Sequence, residues 1–510
     1  MERHGRHSTH RSGRNSWGAG GLAEGFTVPE PLFPAIQWLS IAVVAVAVGL
    51  IVARGSLPIT GVLLLAPVAM LSAAVVLRNP LLLGLLLLPI FYSNIEGITG
   101  EKTGLPTAVA LWLLSLGYFA VLAFTNQLRF LMPLSSKLFL LFIAVITATA
   151  TLIPYRNDAL YGEWLKMTLY SLNAYLMCHV VLINRAQIRR LVILLTWTGV
   201  VLSVINIIEF FDRSLINLSS VPARSAGLLQ NANPSAAAIL ACYLISYLTP
   251  QRFMLPARLI MFLGIYTTFS RAGLIMFFLF LFYNELVAQS LTIRRLVLSA
   301  LLIVTALTVL AFGRVLVEQS NNKQVSLAYE RIVRTLDGSF DDESSNQRRR
   351  VIPIHLKLFE EHPLVGSGGG ATRGPDSPHN QILIIMVEHG LLGTILFLLF
   401  VVVAFRGILV MPRVPEKRLL LALFLFQVAN MGVTHNELQY RFYMVVFALI
   451  CVGPQLYSEP EFEEGDKRLL PPPPNAKAAT RAVVRVGPSR RQLAASRFLP
   501  EQGDLQKEEA

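Results

Sequence analysis

Residues 382–405 read ILIIMVEHGLLGTILFLLFVVVAF. Glu388 and His389 are the only ionisable side chains in this stretch, which is long enough to cross the roughly 30 Å apolar core of a bilayer as a helix. Similar stretches recur along the chain, because 54% of its 510 residues are hydrophobic and only 15% are charged. The mean hydropathy of +0.56 lies far outside the range of soluble domains. The sequence therefore predicts an all-α polytopic membrane protein.

The same length criterion predicts fourteen spans, of which about 12–14 are expected to cross the membrane. The third and the ninth are short, so each is predicted to be a tilted helix or a re-entrant segment. The stretch 314–381 is the one large loop, and its apolar cluster VIPIHLKLF at 351–359 predicts a small, partly helical lid. The fourteen spans occupy residues 33–53, 59–77, 81–93, 105–124, 137–154, 163–183, 190–211, 234–249, 256–269, 272–289, 296–313, 382–405, 418–434 and 438–456.

Lysine and arginine predict the orientation of these spans, because cytoplasmic loops carry an excess of both residues. Most of them fall in or beside alternate gaps, and those gaps, with both termini, are predicted to be cytoplasmic. Examples are Arg78, Arg129, Arg185, Arg294 and Arg406. The other gaps are predicted to face the periplasm, and they lie at 94–104, 155–162, 212–233, 269–272, 314–381 and 435–437.

Four parts are expected along the chain. A cytoplasmic tail at 1–32 precedes a first set of transmembrane helices at 33–211. A second set at 212–456 carries the large loop. The segment 457–510 contains PPPP and few large apolar residues, so it is predicted to be a disordered cytoplasmic tail.

Charge and cysteine usage argue against two classes of function. The net charge is +13, yet the basic residues sit in short gaps and do not form the stripe that nucleic acid requires. The lipid bilayer is therefore an expected partner and nucleic acid is not. Three cysteines, Cys178, Cys242 and Cys451, lie in apolar stretches without metal-ligand spacing. They are predicted to be small buried side chains, with neither disulfides nor a metal site.

Arg224 and Arg271 are two of the arginines on the predicted periplasmic side, and each comes before a predicted span. Arg224 opens the polar segment RSAGLLQNANP at 224–234, and Arg271 lies in the tight turn TFSRAG at 268–273. A helix N-terminus offers backbone N–H groups and a positive dipole end, so a guanidinium beside it makes an anion site. Two such sites together can hold a diphosphate. The alternative for each arginine is an anchor that reaches the headgroups, but the positive-inside rule disfavours Arg271 in a periplasmic turn.

A third candidate site ends the large loop. It contains HPLVGSGGG at 362–370, PHN at 378–380 and EHGLLG at 388–393. His379 is the best candidate for a general base, because a histidine exchanges a proton near neutral pH; the alternative is a structural histidine at a helix start. Ser270, Asn380 and Glu388 are predicted to support the site, with a helix cap as the alternative for Asn380 and a packing contact for Glu388.

In their order along the chain, these motifs resemble the membrane domain shared by O-antigen ligases, O-antigen polymerases and bacterial protein O-oligosaccharyltransferases. The resemblance runs from about Arg224 to Phe400. RSAG followed by NP is similar to the family's Arg-x-x-Gly and Asn-Pro, SRAG at 270–273 is similar to its Ser-Arg-x-Gly, and the three loop motifs are similar to its loop signature. The segment QNANP at 230–234 departs from the family's usual Asn-Pro-Asn.

The resemblance implies an all-helical fold of the GT-C type, the glycosyltransferases that use lipid-linked sugars, in the bacterial inner membrane. It makes 212–456 the catalytic membrane domain. It also implies transfer of a glycan from undecaprenyl diphosphate to an acceptor hydroxyl in the periplasm, without metal, cofactor or nucleotide sugar. Arg224 and Arg271 would neutralise the diphosphate, and His379 would activate the hydroxyl, with inversion at the anomeric carbon.

The sequence is compatible with several functions. The acceptor is the lipid A core in a ligase and a second lipid-linked glycan in a polymerase, and a protein-glycosylating transferase is a third member of the set. A flippase or transporter of lipid-linked glycans would place its basic residues along a path through the membrane. Arg224, Arg271 and His379 are all predicted on one membrane face, which favours an enzyme.

Overall fold

Apolar helices make up the part of the chain that the structure describes. The computed structural model describes residues 80–95, 98, 107–124, 128–153, 157–213, 218–219, 224–249, 254–287, 304, 326, 330, 343–374, 377–412, 415–434 and 437–458. All of them belong to one unit, Ser40–Glu459. These ranges contain helices and short 3-10 turns and no strand. The predicted all-α class is therefore confirmed for them.

Twelve α-helices lie within the described ranges, and we number them in chain order. They are α1 Pro80–Ser93, α2 Thr107–Phe124, α3 Leu134–Leu152, α4 Asp158–Val181, α5 Arg185–Phe211, α6 Ala232–Ile245, α7 Met254–Thr267, α8 Arg271–Val287, α9 Glu343–Glu361, α10 Gln381–Val410, α11 Pro415–Met431 and α12 Arg441–Ser458. Three 3-10 turns join or extend them, at Gly227–Leu229, Ser246–Leu248 and Glu437–Gln439.

Eleven of the fourteen predicted spans coincide with a helix. Two of these helices begin about five residues earlier than predicted, because an asparagine starts each of them. Asn157 accepts hydrogen bonds from backbone N–H groups of α4, and Asn184 does the same for α5; such caps satisfy the first turn of a helix. The predicted spans 33–53, 59–77 and 296–313 lie outside the described residues except for position 304, as do the predicted tails apart from the last two residues of α12.

Several helices have the character of membrane helices. By length and composition, α3, α5 and α10 are long and apolar enough to cross a membrane. Large apolar side chains also point outward, among them Leu279 and Phe282 on α8 and Ile395 and Val402 on α10. Apolar surface of this extent is what a lipid-facing helix presents. The number of crossings and the periplasmic position of the large loop stay predictions.

Helix α6 lies at the centre of this bundle. Every residue of α6 except Asn233 is buried, and the helix packs against α5, α7, α8 and α11. Pro234 falls in the first turn, as the sequence predicts, where a missing N–H costs nothing. The N-terminal turn of α6 is therefore a fixed point of the fold, and it carries the half-buried Asn233.

The large loop contains helix α9, Glu343–Glu361. Helix α9 packs against α10, so the prediction of a partly helical loop is confirmed. It includes the cluster at 351–359, in which Val351 and His355 are buried while Ile352 and Leu356 are exposed. Residues 314–342 lie outside the described residues except for positions 326 and 330.

Candidate functional site

Ends of four helices meet at one end of the bundle. The segment that follows α5 leads into α6, and the turn after α7 leads into α8. A backbone hydrogen bond joins the two connections, from Ser225 N to Thr267 O at 3.3 Å. The two arginine-bearing segments predicted from the sequence are therefore neighbours in space.

Arg224 is half-buried and is held in a fixed orientation. Its Nε atom donates to the carbonyl of Thr268 at 3.1 Å, and its Nη2 atom donates to Asn233 Oδ1 at 2.7 Å. One bond reaches the turn before α8 and the other reaches the first turn of α6. Because two bonds to different elements define the plane of a guanidinium, the position of Arg224 depends on how α6 and α8 pack.

Asn233 is the residue that joins the two motifs. Its Oδ1 atom also accepts from Ser270 Oγ at 2.9 Å. Ser270 in turn caps α8, because its Oγ accepts from Gly273 N at 3.2 Å, and Arg271 is the first residue of that helix. One amide oxygen therefore fixes Arg224 and the start of α8 together, a role that the departure from the family pattern at QNANP did not suggest.

Asn231 has a different function from its neighbour. Its side chain accepts from Asn233 N at 3.1 Å and begins α6 as a cap. The two asparagines of QNANP therefore divide two tasks, since Asn231 starts the helix and Asn233 bridges the two segments.

The third motif interrupts a helix. Helix α10 has non-helical backbone angles at Gly390, with φ 62° and ψ −163°, so the predicted span 382–405 is not one continuous helix. A Cβ atom at Gly390 would lie 2.4 Å from the carbonyl carbon of Leu364. Only glycine tolerates both the backbone angles and this close approach.

The glycine-rich segment of the loop packs into this interruption. Backbone hydrogen bonds pair it with both sides of the break: Leu391 N to Pro363 O at 2.8 Å, Leu392 N to Leu364 O at 3.2 Å, Ser367 N to Val387 O at 2.7 Å and Gly368 N to Glu388 O at 3.0 Å. The motifs HPLVGSGGG and EHGLLG are therefore two halves of one structural unit.

Glu388 is the buried carboxyl group that contacts this unit. Only 2% of the residue is exposed, and its Oε1 atom accepts from Thr372 Oγ1 at 2.7 Å and from Thr372 N at 3.3 Å. Its Oε2 atom lies 3.7 Å from His389 Nε2, and the ring of His389 contacts Trp164. Glu388 therefore contacts the end of the glycine segment and lies away from the surface.

His379 lies at the start of α10 and is half-buried. The next residue, Asn380, caps this helix by accepting from Leu383 N at 3.0 Å, and its further support of the site stays a prediction. Pro378 on the other side is buried. The backbone on both sides of His379 is therefore fixed, which limits how far its ring can move.

Arg373 fastens the loop to the bundle. Its Nη1 atom lies 2.9 Å from Glu163 Oε1 on α4, and its Nη2 atom donates to Gln439 Oε1 at 2.6 Å. The loop is thereby tied to the turn that precedes α12.

Arg441, two residues further on, continues the connection towards Arg224. Its Nη1 atom donates to Asn94 Oδ1 at 3.2 Å, and Asn94 Nδ2 donates to Leu228 O at 3.3 Å. Leu228 lies in the segment that begins with Arg224. The loop that carries His379 and the segment that carries Arg224 thus lie at the same end of the bundle.

Glu209 and Arg441 are charged residues at this end that the sequence analysis did not single out, although one signal was present. Glu209 and Arg441 both lie inside predicted spans, at 190–211 and 438–456. Ionisable groups within apolar stretches mark functional or structural polar sites. Applied to the spans themselves and not only to the gaps, that rule finds both residues.

Within the described ranges, no group of three or more His, Cys, Asp or Glu side chains is placed to hold a metal ion. Independence of metals stays a prediction.

The fold and this end of the bundle define an all-helical protein of membrane character with two arginine-bearing segments joined at helix starts. Residues 256–398 match the family model described as O-antigen ligase. The resemblance predicted from the motifs is therefore confirmed over these residues. The match includes Arg271 and His379 and begins after Arg224. No curated protein matches the chain at a significant level.

Proposed function

We propose that the chain is a glycosyltransferase of the O-antigen ligase type. It transfers a glycan from undecaprenyl diphosphate to a hydroxyl of the lipid A core, at the periplasmic face of the bacterial inner membrane. The observation that carries this proposal is the bridge at Asn233, which holds Arg224 and the Ser270 cap of α8 together. The match of residues 256–398 to the O-antigen ligase family model supports the same class of reaction.

The arginine half of the site suits a diphosphate. Arg224 is held beside the first turn of α6, and Arg271 begins α8. The start of each helix adds the positive end of its dipole. Two guanidinium groups and two helix starts stabilise negative charge as it develops on the leaving diphosphate, and fixed groups of this kind are the most effective in such a step.

The histidine half suits the acceptor. The neutral imidazole of His379 takes the proton of the acceptor hydroxyl while the hydroxyl oxygen attacks the anomeric carbon of the donor glycan. As the new carbon–oxygen bond forms, the bond between the anomeric carbon and the phosphate oxygen breaks, and its electron pair leaves with the diphosphate. In-line attack inverts the anomeric centre. This scheme uses no metal, cofactor or nucleotide sugar.

The acceptor distinguishes the proposed ligase from the second candidate. A polymerase would use the same donor site and a second lipid-linked glycan as acceptor, and the same family match supports it. In either case we assign catalysis to residues 212–456, with 33–211 as supporting transmembrane helices and 1–32 and 457–510 as cytoplasmic tails.

Reconstitution tests the proposal directly. The purified full-length protein in liposomes receives a defined undecaprenyl-diphosphate glycan together with either lipid A core or a second lipid-linked glycan. Formation of glycosylated lipid A core is the expected result, and a longer lipid-linked glycan would identify a polymerase. Movement of the intact donor across the bilayer, without a new glycosidic bond, would contradict an enzyme and identify a transporter.

A further inference from the structure

Glu209 is a fully buried carboxylate near the end of α5, with an exposed fraction of 0%. Its Oε1 atom accepts from Leu218 N at 2.7 Å and from Ser219 N at 2.6 Å. Its Oε2 atom accepts from Ala226 N and Gly227 N, each at 2.8 Å. A buried charge is tolerated only when its hydrogen bonds are satisfied, and a carboxylate has about four acceptor sites. The described parts of the connection between α5 and α6 therefore meet at this one group.

Three hydrogen bonds fix the backbone at and just after Arg224. The bond to Ala226 fixes the chain two residues after Arg224, and Ser225 N donates to Thr267 O at 3.3 Å. The carbonyl of Arg224 itself accepts from Arg213 Nη2 at 2.7 Å. The backbone of Arg224 is thus fixed by bonds other than those that its own side chain makes.

Gly227 shows that the arrangement requires a close fit. Its φ is +51°, and a Cβ atom there would lie 2.2 Å from Asn206 Oδ1. Any residue with a Cβ atom would be strained in this conformation and would displace the N–H group that donates to Glu209. A substitution at Gly227 therefore disturbs the same connection without removing the carboxylate.

We propose that Glu209 is a positioning residue for the donor diphosphate: its carboxylate sets the backbone of Arg224, and through it the guanidinium that engages the phosphate oxygens. This inference rests on the proposed function, because it assumes that Arg224 binds the diphosphate. A carboxylate with a purely structural role would affect membrane insertion and stability, and its effect on diphosphate affinity would not depend on Arg224. Glu209 instead holds the backbone within two residues of Arg224, which ties its effect to that side chain.

A double-mutant cycle in diphosphate affinity tests the proposal. The Kd for undecaprenyl diphosphate, which carries no glycan, is measured for full-length wild type, Glu209→Gln, Arg224→Ala and the double variant. Glutamine keeps the shape but turns an NH₂ group towards two N–H donors, so one pair of bonds is lost. We expect the displaced Arg224 to lose about one hydrogen bond to a phosphate oxygen. Glu209→Gln should therefore weaken diphosphate binding about tenfold, the factor that one hydrogen bond to a charged group contributes. The exposed Glu360→Gln is the matched control and should bind as wild type.

The diphosphate affinity of the double variant distinguishes a positioning role from an independent one. If Glu209 acts through Arg224, the double variant binds no more weakly than Arg224→Ala alone, because residues that act through one another are not additive. If Arg224→Ala weakens binding and Glu209→Gln does not, or if the two losses multiply, the positioning role is wrong and the proposed function stands. Wild-type affinity of Arg224→Ala would instead overturn the diphosphate site itself.

A second variant keeps the test valid if Glu209→Gln does not fold. Gly227→Ala retains the carboxylate and displaces its partner N–H group. It should weaken diphosphate binding and should again add nothing to Arg224→Ala. Wild-type affinity of correctly inserted Gly227→Ala would overturn the proposal.

Discussion

Asn233 offers the sharpest separation of stability from function in this chain. Its Oδ1 atom accepts one bond from the charged Arg224, at 2.7 Å, and one from the neutral Ser270 hydroxyl, at 2.9 Å. The first kind of bond contributes about 1.5–3 kcal/mol and the second about 0.5–1.5 kcal/mol. Asn233 and Arg224 are half-buried, so we take the lower limit of the sum. Asn233→Ala is then expected to lower the free energy of unfolding by about 2 kcal/mol and to release Arg224 from its orientation.

Asn233→Asp should behave differently. A carboxylate accepts the same two bonds and attracts the Arg224 guanidinium more strongly, so stability should be equal to or above that of wild type. The new negative charge would lie on the order of 5 Å from a diphosphate bound to Arg224. With an effective dielectric constant of about 20, the repulsion is about 3 kcal/mol, or roughly a hundredfold in affinity. Stability and donor binding should therefore change in opposite directions.

Two measurements on purified protein check this expectation: the thermal unfolding midpoint and the Kd for undecaprenyl diphosphate. Asn184→Ala is the control, because it removes a helix cap at the opposite end of α5 from this site, which costs about 1 kcal/mol, and should leave diphosphate affinity unchanged. Wild-type affinity of a stable Asn233→Asp protein would refute the reasoning, since it would show that no anion binds beside this bridge.

Four further outcomes are expected. Arg271→Lys should impair transfer although it keeps the charge, because a guanidinium binds two phosphate oxygens through a planar fork and an ammonium does not; an anchoring arginine would tolerate lysine, so wild-type transfer would remove Arg271 from the site. His379→Ala should abolish turnover while donor binding persists, and full turnover would exclude the base. A cysteine at Ser345 should react with reagents added to the periplasm, and labelling from the cytoplasm alone would overturn the topology. Removal of the tail after Ser458 should leave insertion and transfer intact; an inserted but inactive truncation would show that the tail contributes.

Sequence patterns predict those parts of the site that depend on local geometry. Pro234 in the first turn of α6 and Asn380 as a cap follow from preferences that act within a few residues. The same holds for the start of α8 at Arg271. Apolar length also locates most helices, although it places some of their beginnings late because the polar caps do not count as apolar.

Contacts between distant elements are not visible in such patterns. The bond between Ser270 and Asn233 joins residues 37 positions apart, and the bond between Arg441 and Asn94 joins residues 347 apart. Both depend on how helices pack. The interruption at Gly390 was hidden for another reason, since an isolated glycine within an apolar run is compatible with a continuous helix, and the segment that fills the break comes from elsewhere in the chain.

The two halves of the proposed site have different supports, and this determines what a mutation can do. Arg224 and the start of α8 depend on Asn233 in the first turn of the central helix, whereas the backbone at His379 depends on the cap and the broken helix of α10. Residues without shared partners act independently. A substitution among the residues that hold Arg224 should therefore change donor binding alone, and one among the residues that hold His379 should change turnover alone. Damage at Asn233 should therefore be seen as lost donor affinity, and damage around Gly390 as lost turnover with the donor still bound.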